Sequence, residues 1–259
     1  MASAPESAAA APDYATAMPG FLGLVLAVSI LAGATAAVAG FGIGSLLTPL
    51  VATRYGMAAA VAAVAIPHAA ATALRAWRLR AAIDWAILWR FGLVSAAGGL
   101  AGALLYARLG SRALTLILGL LLVATAGAAL SGWTSRWRPR GASVQLLGAA
   151  TGFFGGIAGN QGGLRAAALL AFGLGPAAYV ATATMTGLLV DAARLPVYLA
   201  LAGDDLLRMG GVIGVATAGT LIGTLLGERV LLGLSVERFR ILISVLIGLL
   251  GASLVARAL

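Results

Sequence analysis

Hydrophobic residues in this chain fall into long runs that short polar or glycine-rich stretches separate. The runs cover residues 21–39, 44–53, 57–74, 86–107, 112–131, 144–158, 163–172, 177–200, 208–227 and 239–256. Because an α-helix rises about 1.5 Å per residue, a run of about 20 residues crosses a hydrocarbon core of roughly 30 Å. The pattern predicts an all-α integral membrane protein, a polytopic helical bundle.

Two of the runs, 44–53 and 163–172, are too short to cross a bilayer. A helix of about ten residues reaches only about 15 Å, which is half of the hydrocarbon thickness. Each short run follows a glycine-rich break, "AGFGIGS" in the first case and "AGNQGGL" in the second. These features predict broken or re-entrant half-helices.

The two halves of the chain resemble each other. A shift of 119 residues without a gap superposes glycines and arginines as well as the abundant alanines: Gly40 on Gly159, Gly44 on Gly163, Gly56 on Gly175 and Arg75 on Arg194. With a further slip of two residues, Gly98 and Gly102 fall on Gly219 and Gly223. We therefore predict an internal duplication.

Arginine positions predict the orientation. The stretches 75–90, 131–143 and 228–240 are rich in arginine and belong on the cytoplasmic side by the positive-inside rule. This pattern requires an odd number of crossings in each half, so the second repeat is inverted against the first. The predicted regions are a disordered extracytoplasmic tail (1–20), a first transmembrane repeat (21–131), a cytoplasmic linker (132–143) and a second transmembrane repeat (144–259).

Composition supports a membrane protein and excludes several other classes. The chain is 61% hydrophobic with a mean hydropathy of +1.04, more than a soluble domain needs. All 17 basic residues are arginines, scattered between apolar runs, so the net charge of +9 reflects topology and not a nucleic-acid partner. The absence of cysteine and the single His68 argue against a thiolate, zinc or haem site, and we expect no cofactor.

The duplicated break motifs resemble one known family. They read "GFGIGSLLTPLVATRYGMAAAVA" and "GNQGGLRAAALLAFGLGPAAYVATATMTG". In this form, once in each half, they resemble the sulfite exporter TauE/SafE family over about residues 21–258. The resemblance implies transport of small sulfur-containing anions, such as sulfite, thiosulfate or an organosulfonate, across a bacterial inner membrane.

The breaks themselves are candidate binding sites. An interrupted membrane helix leaves backbone N–H groups without partners, which is tolerated only where they line a cavity or meet a ligand. Half-helix N-termini carry partial positive charge and attract anions. The candidate glycines are Gly42, Gly44, Gly159, Gly162 and Gly163. Close packing between helices is the alternative explanation for these glycines.

The second break also carries polar side chains. Asn160 and Gln161 can donate to an oxyanion, and Arg165 offers a planar fork that suits a sulfite or sulfonate oxygen pair. The alternative for Arg165 is a guanidinium that snorkels to the membrane surface. In the first half, Ser45 and Thr48 could line the cavity or bond back to their own helix.

Two long helices carry further candidates. His68 follows a proline and could hold the anion or a coupled proton. Thr182 and Thr186 share a helix face and could contact the anion. Asp191 could relay a proton or simply form an i, i+3 ion pair with Arg194. Arg75 and Arg194 we interpret as ordinary helix-end charges.

These features together predict a secondary transporter that works by alternating access and is not an enzyme. Its predicted partners are a small sulfur-containing anion, the lipid bilayer, and a coupling proton or sodium ion. A passive anion channel is one alternative. An intramembrane enzyme with a Ser45–His68 dyad is the other, although the chain has no G-x-S-x-G or H-E-x-x-H motif.

Overall fold

The structure is a computed structural model that describes residues 19–40, 42–132, 141–160, 172–230 and 236–259, together with residues 162, 165, 168 and 169. Within these ranges the chain forms helices and contains no β-strand. In chain order the helices are α1 (Pro19–Ala39), α2 (Ile43–Tyr55), α3 (Met57–Leu79), α4 (Trp85–Tyr106), α5 (Ser111–Leu130), α6 (Ala142–Ala158), α7 (Pro176–Arg208), α8 (Gly210–Val230) and α9 (Val236–Ala258).

Six of the described helices, α1, α3, α4, α5, α7 and α8, are long and apolar enough to cross a membrane. Helix α6 and the C-terminal part of α9 are shorter apolar helices. The outer surface exposes large apolar side chains such as Leu104, Leu146 and Leu249, which suit contact with lipid. The predicted class, an all-α polytopic membrane protein, is confirmed.

Both glycine-rich breaks end a helix where the sequence predicts it. Gly40 and Gly42 have φ angles of 78° and 140°, a region that a Cβ makes unfavourable. Gly159 has a φ of 69° and caps α6, its N–H donating to the Gly155 carbonyl at 3.0 Å. The second short run, 163–172, lies mainly outside the described residues.

Helix α2 returns to the end of the molecule at which α1 begins. The Phe21 ring, near the start of α1, lies 6.1 Å from the Tyr55 ring at the end of α2. The Arg54 guanidinium lies 5.4 Å from the centroid of the same Phe21 ring. With 13 residues, α2 spans about 20 Å, less than a bilayer. Its re-entrant placement in the bilayer stays a prediction.

The two halves interlock through glycine contacts. Helix α1 packs against α8, and α6 packs against α4. Gly98 lies against the Ala149 carbonyl, and Gly223 lies against the Ile30 carbonyl. Ile30 and Ala149 are 119 residues apart, so Gly98 corresponds to Gly223 in the packing and not to Gly219.

The two-residue slip that the sequence suggests for this region is therefore wrong by one helical turn. Gly219, Gly223 and Gly227 recur every four residues, so an alignment shifted by one turn still matches glycine to glycine. Only the contacts distinguish the registers, since Gly102 lies against Phe153 and Gly227 lies against Ala34. The inversion of one repeat against the other stays a prediction.

Helices α3 and α7 form the centre of the molecule. They pack against each other, and α5 packs against α9, so each pair joins one half to the other. Helix α7 is longer than its predicted run, because it continues to Arg208 through non-helical backbone at Ala202. The predicted linker lies largely outside the described residues, as does the predicted tail, although α1 begins at Pro19.

Candidate functional site

The two helix breaks lie against each other in the interior. Gly44 packs so closely on the Gly159 carbonyl oxygen that a Cβ at Gly44 would clash. Ser45 Oγ donates to Oδ1 of Asn160 at 3.3 Å. One turn further along α2, Thr48 Oγ1 lies 3.8 Å from where a Cβ on Gly159 would stand. These five predicted site residues form one buried contact region, which we call the break junction.

Polar atoms at the break junction, and on Arg165 and α7, lack hydrogen-bond partners within the described residues. They are Thr48 Oγ1, Asn160 Nδ2, Arg165 Nη1 and Thr186 Oγ1. Their residues are 0%, 6%, 2% and 0% exposed, respectively. An unpartnered buried polar group costs about 1 to 3 kcal/mol, which a bound acceptor offsets. Because each of these groups can donate a hydrogen bond, their common complement is an oxyanion.

Arg165 is buried against α7. A Cβ on Gly187 would lie 2.7 Å from its Nη1 and 3.2 Å from its Cζ, so the guanidinium occupies space that glycine leaves free. Thr186, whose hydroxyl is unpartnered in the described part of the chain, is the next residue on the same helix. A snorkelling arginine would expose its guanidinium, whereas Arg165 is only 2% exposed. The structure therefore contradicts that alternative.

Asp191 joins the two central helices. Its Oδ2 lies 2.7 Å from Nδ1 of His68 on α3. Its Oδ1 accepts from Arg194 Nε at 3.0 Å and lies 2.8 Å from Nη2 of the same guanidinium. The i, i+3 ion pair expected from the sequence is present. The contact with His68, 123 residues away, was not predicted, and it unites both candidate coupling residues in one buried group.

Arg75 and Arg194 make equivalent contacts in the two halves. Arg75 Nη1 donates to the Ala36 carbonyl near the end of α1, and Arg194 Nη1 donates to the Gly155 carbonyl near the end of α6 at 2.6 Å. Donor and acceptor are 39 residues apart in both cases, and both pairs fit the shift of 119 residues. Each guanidinium thus holds the helix turn that precedes a break.

The interpretation of these two arginines as ordinary helix-end charges was wrong. Arg75 and Arg194 are 3% and 0% exposed, and both lie inside the bundle. Their coincidence in the ungapped repeat frame was the one signal in the sequence that set them apart. Tyr198, which also was not singled out, donates from its hydroxyl to the Gly156 carbonyl in the same turn of α6.

The remaining predicted residues are less clearly connected with the junction. Thr182 Oγ1 accepts from the Asp84 backbone N–H at 2.9 Å, which fixes the start of α4. Gly42 packs against Thr35 of α1. Gly162 is buried. Gln161 and Gly163 lie outside the described residues. The roles of all these residues as ligands stay predictions.

The structure is that of a polytopic helical membrane protein in which two helix breaks, one from each half, contact each other in the interior.

Comparison of the sequence with known families is consistent with that class. The family profile of the sulfite exporter TauE/SafE matches residues 25–254 of the 259, and the chain belongs to this family. The resemblance carried by the two break motifs is thereby confirmed. No curated protein and no solved structure matches the chain.

Proposed function

We propose that the protein is a secondary transporter that moves a small sulfur-containing anion, such as sulfite, thiosulfate or an organosulfonate, across a bacterial inner membrane. Membership of the TauE/SafE family supports transport of sulfur anions. The observation that carries the proposal is the set of buried donors without a partner in the described chain, on Thr48 and Asn160 at the break junction and on Arg165 and Thr186 at α7.

The buried donors bind the anion in this proposal through charge and hydrogen bonds. Arg165 supplies a charge-assisted donor pair, and the amide of Asn160 and the hydroxyls of Thr48 and Thr186 supply neutral donors. The oxygen atoms of a sulfite or sulfonate group accept from several of these donors at once. These bonds offset the free-energy cost of removing the anion from water, because the donors themselves are already desolvated.

Alternating access is supported by the composition of the site from two halves. Ser45 and Thr48 belong to the first half, and Asn160 and Arg165 belong to the second. A relative movement of the two breaks would therefore open the junction to one side and then to the other. A passive anion channel would not need such a division of the ligands between two interlocked halves.

A proton is the coupling ion that the geometry favours over sodium. His68 and Asp191 face each other at 2.7 Å near the middle of α3 and α7, so a proton can be held between two carriers from different halves. Oxygen ligands, which sodium would need, are few in this group. The enzyme alternative has less support. A catalytic dyad would need Ser45 to bond His68, whereas Ser45 donates to Asn160 and His68 contacts Asp191.

Counterflow in proteoliposomes tests the proposal. Vesicles loaded with unlabelled sulfite should accumulate external ³⁵S-sulfite transiently above equilibrium, and Arg165→Gln should abolish this accumulation. Arg108→Gln, which changes an exposed arginine just beyond the end of α4, is the matched control and should retain it. Equilibration without overshoot would indicate a channel, and absence of flux for sulfite, thiosulfate and an organosulfonate alike would overturn the proposed function.

A further inference from the structure

The buried charges of the described residues do not balance. Three arginines, Arg75, Arg165 and Arg194, are at most 3% exposed. Asp191 is the only acidic side chain that is equally buried within the described ranges. With His68 neutral, this group carries two positive charges in excess. Charges buried without compensation are strongly unfavourable in a membrane interior.

Within the described residues, no further carboxylate is buried with this group. The chain has eight acidic residues. Those other than Asp191 either precede α1 or lie within four residues of a helix end: Glu6, Asp13, Asp84, Asp204, Asp205, Glu228 and Glu237. Asp84, for example, caps the start of α4 by accepting from the Ile87 N–H at 2.9 Å. The excess charge is therefore a property of the interior as the described residues form it.

The excess resides on two particular arginines. Arg194 is neutralised by Asp191, whose carboxylate contacts its Nε and Nη2. Among the described residues, Arg75 donates to two neutral oxygens, the Ala36 carbonyl and the Thr72 hydroxyl, the latter at 3.4 Å. Both Arg75 Nε and Arg165 Nη1 are buried without a partner in the described chain. Both adjoin the same buried group. The Thr72 hydroxyl that Arg75 contacts lies 3.5 Å from Nδ1 of His68, the partner of Asp191, and the Arg165 guanidinium lies against Gly187, one turn before Asp191 on α7.

From this balance we infer that the site selects doubly charged anions over singly charged ones of the same shape. The inference rests on the proposed function and deepens it. A dianion neutralises both Arg75 and Arg165, whereas a monoanion leaves one buried cation uncompensated. Arg165 contacts the anion in this account, and Arg75 acts on it through its field as a specificity-determining residue.

The repeat itself provides the variant that reverses the preference. Thr72 stands 119 residues before Asp191, and Arg75 donates to Thr72 as Arg194 donates to Asp191. Thr72→Asp therefore gives Arg75 the same i, i+3 partner that Arg194 already has. The excess falls from two charges to one, while every arginine stays in place. Thr72→Asn has a similar shape without the charge and is the matched control.

Thiosulfate and methanesulfonate are the matched probes. Both carry an SO₃ group, and the fourth substituent is a sulfur atom in one and a methyl group of similar size in the other. Thiosulfate is a dianion and methanesulfonate is a monoanion across the neutral range. Equilibrium binding of each to the detergent-purified full chain, by calorimetry at one ionic strength, measures the effect of charge at nearly constant shape.

We expect thiosulfate to bind the unmodified protein at least about tenfold more tightly than methanesulfonate. Thr72→Asp should reduce this ratio to about one or invert it, and Thr72→Asn should preserve it. Equal binding of the two anions by the unmodified protein, or an unchanged ratio in Thr72→Asp, would overturn the inference and leave the proposed function standing. Failure of both anions to bind would overturn the two together.

Discussion

The two helix breaks share one contact and differ in their charge. In both halves a buried arginine of a central helix, Arg75 or Arg194, donates to a carbonyl in the turn before the break. Where the second half has Asn160, Arg165 and Asp191, the equivalent positions of the first half are Phe41, Leu46 and Thr72. The repeated contact maintains the framework, and the residues that are not repeated provide the binding chemistry.

The largest contrast that we predict between the halves is one of orientation. Because the chain lacks cysteine, single cysteines report accessibility without background. Ser135→Cys in the linker should be protected from an impermeant maleimide in intact cells, and Arg108→Cys at the opposite end of α5 should be labelled fully. The reverse pattern would contradict the arginine-based topology, and labelling of both would contradict the placement of the linker.

A second contrast concerns the stability that each arginine provides. Arg194→Met leaves Asp191 as a buried carboxylate without its guanidinium, which should cost about 3 to 5 kcal/mol of unfolding free energy. Arg75→Met leaves only a carbonyl and a hydroxyl without their donor, and about 1 to 3 kcal/mol should be lost. Thermal unfolding in detergent measures both variants.

The double variant Asp191→Asn with Arg194→Met is the control for that comparison. It removes the uncompensated carboxylate, so it should be more stable than Arg194→Met alone. Equal losses for Arg75→Met and Arg194→Met would show that the ion pair of the second half contributes no more than the neutral contacts of the first.

A third contrast is the affinity that Arg165 gives to the second break. Arg165→Ala removes charge-assisted hydrogen bonds worth about 1.5 to 3 kcal/mol, so sulfite affinity should fall roughly 10- to 150-fold. Arg165→Lys should recover only part, because an ammonium group replaces a bidentate fork. Calorimetry with Arg108→Ala as control checks this, and unchanged affinity in Arg165→Ala would make Arg165 a structural residue.

The smallest predicted effect is on selectivity. Asn160→Ala removes a neutral donor. Its loss should change the ratio of affinities between competing anions by about fivefold and should weaken the best ligand less than that. We expect the same of Gln161→Ala. Competition of sulfite, thiosulfate, sulfate, sulfoacetate and acetate in the transport assay provides the measurement. Uniform weakening across the panel would mean that these amides only satisfy backbone groups.

Much of the fold could be predicted because its signals are local. Apolar runs define the helices, and glycines mark the breaks at Gly40 and Gly159 within a residue or two. Sequence-based prediction fails where the pattern of residues is periodic, so that several registers fit, or where it ends before the helix does. Glycines every fourth residue in α8 concealed the packing register, and Asp204 lies in the last turns of α7, where the apolar pattern had already ended.

The types of residue in the candidate site could be predicted from the sequence, but the contacts between residues of different helices could not. The short spacing between Asp191 and Arg194 was sufficient to predict their ion pair. The contact of Asp191 with His68 was not, because it depends on the level at which α3 crosses α7. Arg75 was misinterpreted for a similar reason. A charge near a helix end is buried or exposed according to the neighbouring helix, here α1, and the sequence of α3 contains no information about that neighbour.

The position of a bound anion shows whether the break junction binds the substrate. Selenite is a close analogue of sulfite, and its selenium atom scatters anomalously, so a crystal of the protein grown with selenite can locate the anion without ambiguity. We expect one strong anomalous peak at the break junction, with the anion's oxygens within hydrogen-bonding distance of Arg165 Nη1 and Asn160 Nδ2. A peak elsewhere, with the junction empty at saturating selenite, would contradict it.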